Sequence, residues 1–176
     1  MFKKTNIFVL FYTFFASLAC YAHTDDVCTL IPLREGTAVY VNEFRRGVYA
    51  TPNEAKRQKD NFVQSGQCVS FSTQSMCTLI PSSQGLTLFF NEQLIREERS
   101  IGKAVQQLQQ LVNAGVCGRY SVRKKCAVQT DGDGANLLYG EPEELLVSRR
   151  FRSSNEASAY MNELVSAGIC WATDLR

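Results

Sequence analysis

Histidine is almost absent from this 176-residue chain: there is one, His23. A hydrolase that pairs a serine or cysteine nucleophile with an imidazole base therefore has no buried base to draw on. No glycine-rich loop of the kind that cradles phosphate occurs. Close cysteine pairs are missing too. Among the six cysteines after residue 22, nearest neighbours are separated by eight residues, with no histidine beside them. That excludes the C-x-x-C pattern of zinc sites. These absences point away from an enzyme, and we expect no catalytic residues, no cofactor and no metal ligands.

Long apolar runs are scarce as well. The longest, Ile7 to Ala19, has 13 residues, against roughly 20 needed to span a bilayer. Lys3 and Lys4 precede it, and small residues at Cys20 and Ala22 follow. A charged start, an apolar middle and an A-x-A-like end make a secretory signal. Cleavage is expected after Ala22, giving a mature chain from His23 with no transmembrane segment, in the periplasm or secreted. An uncleaved anchor helix is one alternative. Lipidation at Cys20 is another, although lipoprotein signals put a branched apolar residue three before the cysteine. Here Ser17 holds that place and Leu18 sits one step late.

Removing residues 1–22 also removes the basic surplus. Two of the nineteen basic residues lie there, leaving seventeen against seventeen acidic residues. A neutral chain lacks the electrostatic footprint of a nucleic-acid binder. The local cluster Arg149, Arg150 and Arg152 follows Glu141, Glu143 and Glu144, and is expected to be a solvated strand face.

What the chain does have is a repeat. Cys-Thr-Leu-Ile-Pro occurs at Cys28–Pro32 and again, 49 residues later, at Cys77–Pro81. Counting from Cys28, Cys77 and Cys126, a glycine follows at eight (Gly36, Gly85, Gly134) and a glutamate at fifteen (Glu43, Glu92, Glu141). An apolar stretch precedes each glutamate. Counting back from Cys68, Cys117 and Cys170, a glycine lies at two (Gly66, Gly115, Gly168) and an alanine at thirteen (Ala55, Ala104, Ala157). The third copy carries four extra residues between Glu141 and Ala157. Three tandem units follow: residues 23–72, 73–121 and 122–176, after the signal at 1–22.

Each unit reads as strand, glycine turn, strand, then helix. Glycine suits the turn because it tolerates positive φ. Thr51, Pro52 and Glu54 open the first helix as N-cap, first helical residue and capping-box partner. Ser153 with Glu156 repeats the device, and Ser100 keeps the cap without the acid. Gly66, Gly115 and Gly168 end the helices. The segments beyond, Gln67 to Phe71 and Gly118 to Val122, alternate like strands that run into the next copy. The expected class is α+β, three ββα repeats of about 49 residues, with helices packed on an antiparallel or mixed sheet.

Six cysteines in an exported chain read as a disulfide framework. Two pairings respect the repeat. One stays within units: Cys28–Cys68, Cys77–Cys117 and Cys126–Cys170. The other crosses junctions: Cys68–Cys77, Cys117–Cys126 and Cys28–Cys170. Extended junctions favour the first. Nine steps of about 3.3 Å span roughly 30 Å, whereas a bridge needs Cα atoms within about 7 Å. A tight turn at Thr73, Gln74 and Ser75 would rescue the second.

Thr130 to Gly134 resembles the start of a calcium loop, but Ala135, Asn136 and Pro142 break that pattern. A hairpin turn is expected instead. Glu43, Glu92 and Glu141 are expected to be structural, at the ends of the second strands. Tyr40, Phe89 and Tyr139 are strand aromatics and a candidate contact surface.

Read from the second strand, the order strand, helix, strand is that of split β-α-β folds. Val39-Tyr40-Val41-Asn42-Glu43-Phe44 with Asn53-Glu54-Ala55 and Ser65-Gly66 is similar to half of a SPOR domain. So is Ser154-Asn155-Glu156-Ala157 with Ala167-Gly168. SPOR domains are exported modules that bind peptidoglycan glycan strands. The resemblance implies a ferredoxin-like grammar and a glycan ligand, and transfers no ligand residues. The paired cysteines and the three half-units depart from that pattern. The leading expectation is a non-enzymatic binding or scaffold protein of the bacterial envelope with an envelope protein as partner. A peptidoglycan-binding protein and a secreted inhibitor or effector are the alternatives.

Overall fold

In the computed structural model, which describes residues 26–71, 74–119, 124–141 and 143–175, the repeated pentapeptides form repeated strands. The first unit runs β1 (Val27–Leu33), β2 (Gly36–Val41), β3 (Phe44–Tyr49), α1 (Pro52–Gln64) and β4 (Val69–Ser70). The second has β5 (Met76–Ser82), β6 (Gly85–Phe90), β7 (Gln93–Glu98), α2 (Ile101–Asn113) and β8 (Gly118–Arg119). The third has β9 (Lys125–Asp131), β10 (Gly134–Glu141), β11 (Glu144–Phe151), α3 (Ser154–Ser166) and β12 (Trp171–Ala172). The predicted leader, with Cys20 and His23, lies outside the described residues.

Each unit owns a four-stranded mixed sheet, ordered β3-β2-β1-β4 in the first and equivalently in the others. The first three strands form an antiparallel meander. The helix then crosses one face, and the last strand pairs parallel with the first. Alternation assigns the faces. Cys28, Leu30 and Pro32 of β1 turn inward, with Val39 and Val41 opposite them, and Ala55 of α1 is fully buried.

The predicted class therefore holds, with two differences. A third strand follows each hairpin where only a connection was expected. Its sequences, such as Phe44–Tyr49, are charged and mostly exposed, because an edge strand packs only one side against a neighbour. Secondly, the strands after the helices do not join the next copy. They are two residues long and return to their own sheet, with Phe71 donating its N–H to the Cys28 carbonyl at 3.3 Å. The split β-α-β crossover is thus closed inside one unit.

The helices start and stop as their sequences dictate. The Glu54 N–H donates to Thr51 Oγ1 at 3.2 Å, and the Thr51 N–H donates back to the Glu54 carboxylate at 3.3 Å. Ser100 and Ser153 each accept the forward bond, from Lys103 and Glu156. The return bond expected from Glu156 is not formed. At the other end Gly66, Gly115 and Gly168 take φ of 71°, 69° and 65°. Each closes the same double-bonded helix end: Gly66 to Val63 and Gln67 to Phe62 in the first unit, with equivalents in the others.

Gly36 and Gly85 have a different task from turning the chain. A side chain at either would strike the backbone carbonyl of the third strand, Tyr49 or Glu98, at 2.2 and 2.4 Å. In the third unit the turn glycine is Gly132, with φ 59°, and Gly134 opens β10.

The disulfides follow the within-unit scheme, with Cα separations of 5.6 Å for Cys28–Cys68, 5.7 Å for Cys77–Cys117 and 5.8 Å for Cys126–Cys170. The four extra residues of the third copy also find a place. Strands β10 and β11 have eight residues each where β2 and β3 have six. Two residues per strand is an even number, so every side chain keeps its face. One bulge recurs in all three meanders at the same repeat position: Val39/Tyr40, Leu88/Phe89 and Leu137/Leu138.

The units do not stand apart. A continuous apolar cluster includes Leu30 and Val39 of the first, Leu86 and Leu108 of the second, and Leu137 and Leu164 of the third. Two arginines tie neighbours together. Arg96 donates to the Arg34 carbonyl. Arg119 donates to the carbonyls of Ala167 and Gly168 at 2.9 and 3.2 Å, where the end of α3 leaves carbonyls unpaired and a cation is favoured. No helix among the described residues is long and apolar enough to cross a membrane.

Two stability outcomes follow. Replacing Cys28 and Cys68 together by alanine should cost about 4 kcal/mol in the loop-entropy account of a forty-residue closure, read by chemical denaturation. Thr51→Ala should cost about 1 kcal/mol. A double-cysteine variant as stable as wild type would show that the bridge is idle.

Candidate binding surface on the middle sheet

The helices consume the inward faces, so any surface left for a ligand lies on the outward faces. In the second unit, alternation turns Met76, Thr78 and Ile80 of β5 outward, and Phe89 of β6 sits directly beside Thr78. With Asn91 and Glu92 from the following turn, these side chains line a groove of about 550 Å³. Met76, Ile80 and Phe89 supply its apolar lining, and Thr78, Asn91 and Glu92 its polar lining. That is the common make-up of a ligand site.

A glycine stands beside Met76 at one end of this groove. The first residues of β4, β8 and β12 pair with Val27, Met76 and Lys125 and so share the outward face. They are Val69, Gly118 and Trp171. Gly118 has no side chain of its own, and the Met76 sulfur lies over it, 3.4 Å from where a Cβ would be.

Asn91 is held in place. Its side-chain carbonyl accepts the Met76 N–H at 2.8 Å, and its amide donates to Ser75 Oγ at 3.2 Å. Asn91 and Glu92 both have positive φ, 46° and 70°, which two-residue hairpin turns require. Asn42 repeats the device, accepting the Val27 N–H at 2.8 Å. Sequence reasoning passed over these asparagines. Their signal was present as an asparagine before the glutamate in the first two copies. Gly140 takes the place in the third.

The recurring glutamates do not converge. Glu43 and Glu92, expected at the ends of the second strands, lie in the turns two residues beyond the ends of β2 and β6. Glu141 lies within the lengthened third hairpin and pairs with Lys124 at 2.6 Å. The aromatics divide as well. Tyr40 and Phe89 face outward and are half-buried. Tyr139 lies opposite Cys126 on the helix-facing side and is 8% exposed. The residue that shares the position of Tyr40 and Phe89 is Leu138. Tyr139 therefore belongs to the core and leaves the proposed contact stripe.

The remaining motifs are structural. Thr130 to Gly134 forms a hairpin turn, with Asp131 paired to Arg150 at 3.6 Å. Arg149 lies over the rings of Phe151 and Tyr160, 5.0 and 4.8 Å from their centroids. Between the first and second units a smaller crevice of about 80 Å³ runs from Pro32 and Leu33 to Ile95 and Gln107. The chain matches no protein-family model, no curated protein and no solved structure.

Burial, and secondly the nearby Glu141 carboxylate, push the Tyr139 phenol up from 10.0 to about 12. A raised folded-state value means that the neutral phenol's contribution is complete below pH 10 and is lost as pH rises toward about 12. Alkaline unfolding should therefore draw on Tyr139, and Tyr139→Phe should move its midpoint to higher pH. An unmoved midpoint would assign alkaline unfolding to other groups.

Proposed function

We propose that this chain is an exported, non-enzymatic binding or scaffold protein of the bacterial envelope, and that the outward face of its middle sheet is the contact surface. The groove lined by Met76, Thr78, Ile80, Phe89, Asn91 and Glu92 carries this reading. Three disulfides fit an extracellular or periplasmic setting. The dispersal of Glu43, Glu92 and Glu141 over three hairpins supports a binding role over catalysis, since acid–base chemistry needs its groups within reach of one another.

The partner we favour is an envelope protein. One observation supports a glycan strand as the second reading. Phe89 offers an apolar ring flanked by a hydroxyl, an amide and a carboxylate, which suits the mixed C–H and O–H faces of a sugar.

The test is co-sedimentation of the oxidised chain with purified sacculi and, in parallel, pull-down from a sacculus-free envelope extract. Gly118→Trp, which places the residue of the third unit into the second, should lower capture about tenfold or more. Phe89→Ala should do the same, with melting transitions near wild type. Capture by sacculi selects the glycan reading, and capture of a protein selects the scaffold reading. Retention by neither, or capture indifferent to both substitutions, would refute the proposed surface.

A further inference from the structure

The end units present their meander hairpins differently from the middle one. Successive strand residues point to opposite faces, so a strand exposed at consecutive positions is covered on neither. That is the state of β3 at its start, where Phe44 is 71% exposed and Arg45 and Arg46 are exposed beside it. It is also the state of the β11 tip. Glu144 is exposed there, and Leu146 and Val147 are 62% and 59% exposed. The middle hairpin is exposed at Gln93 and Leu94 as well, but the next residue, Ile95, is buried and lines the crevice with Pro32 and Leu33. The tips of both terminal hairpins are therefore bare, although β11 also touches β5 of the middle unit farther along, and both end in edge strands of their sheets.

Their charges are opposite. The first tip carries Arg45 and Arg46 beside Phe44, with one acid, Glu43. The third carries Glu143 and Glu144 beside Leu146 and Val147, while Glu141 is held by Lys124. Among the described residues none of Arg45, Arg46, Glu143 and Glu144 is in an ion pair. The two extra residues per strand carry the acidic tip about 7 Å farther out than its counterparts.

We propose that the first hairpin of one copy docks on the third hairpin of the next, so that the chain associates head to tail with itself. Phe44 covers Leu146 and Val147, and the two arginines meet the two glutamates. The patches are different, so the contact is heterologous and yields a ring or an open filament. The bulges after Val39 and Leu137 interrupt each edge. They confine the contact to the tips and prevent one continuous sheet. The inference is independent of the ligand proposed for the middle sheet.

Sedimentation velocity of the oxidised full chain, from about 1 to about 100 μM, tests it. The mean mass should rise with concentration at low salt. It should fall back in high salt, since screening shortens the range of charge attraction to about 3 Å at 1 M. Arg45→Glu with Arg46→Glu should weaken association about tenfold or more, and so should Glu143→Arg with Glu144→Arg. All four positions are exposed, so both variants should keep the wild-type melting transition. Mixing the two variants should restore association, because each then meets a tip of opposite sign. A wild-type monomer at every concentration in low salt would overturn the proposal, as would reversal variants that associate like wild type or a mixture that stays monomeric.

Discussion

Each unit depends on one covalent constraint: a bridge from the first strand to the residue just beyond the helix. A unit of about 45 residues buries too little apolar surface to hold its chain unaided. The bridge closes a forty-residue loop in each of the first two units. Everything nearby converges on it. The helix ends at a left-handed glycine, the chain turns, and the cysteine two residues later meets the buried cysteine of the first strand. The short last strand then adds its parallel pairing beside the same bridge. Once that end is pinned, the helix has one face of one sheet to lie on.

That constraint also decides where function can reside. Bridge, helix and apolar strand residues all occupy the inward face. Differences among the copies accumulate elsewhere. Val69, Gly118 and Trp171 differ on the outward face, and the middle unit carries a groove beside its glycine. Arg119 reaches across to the end of α3, and the equivalent position in the first unit holds Ser70. Four residues lengthen one hairpin without disturbing its faces. The repeat thus supplies a fixed frame, and the departures from it supply the distinguishing surfaces.

Much of this was legible in the order of residues. The cysteine spacing favoured the within-unit bridges, on the expectation that extended junctions would hold neighbouring cysteines apart, and those bridges are the ones formed. Thr51, Ser100 and Ser153 marked helix starts, and Gly66, Gly115 and Gly168 marked helix ends, through local hydrogen bonding. The third strands were hidden because Phe44–Tyr49 and its counterparts bear the charges of an exposed edge and show no apolar alternation. Tyr139 was grouped with Tyr40 and Phe89 by residue type. Its distance from Cys126 places it one residue later, and in a strand one residue means the opposite face. The asparagines of the turns were overlooked because their partners, Val27 and Met76, lie 15 residues away in sequence.

The sequence by itself determined the three units and their helix boundaries and narrowed the bridges to two schemes, because each rests on contacts between near neighbours or on a spacing repeated three times. Only the tertiary structure decided which sheet receives each final strand, which face each aromatic occupies and where a groove opens. Those outcomes depend on strands brought side by side across a whole unit. There a single residue such as Gly118 matters through the partner it lies beside, Met76, far away in sequence.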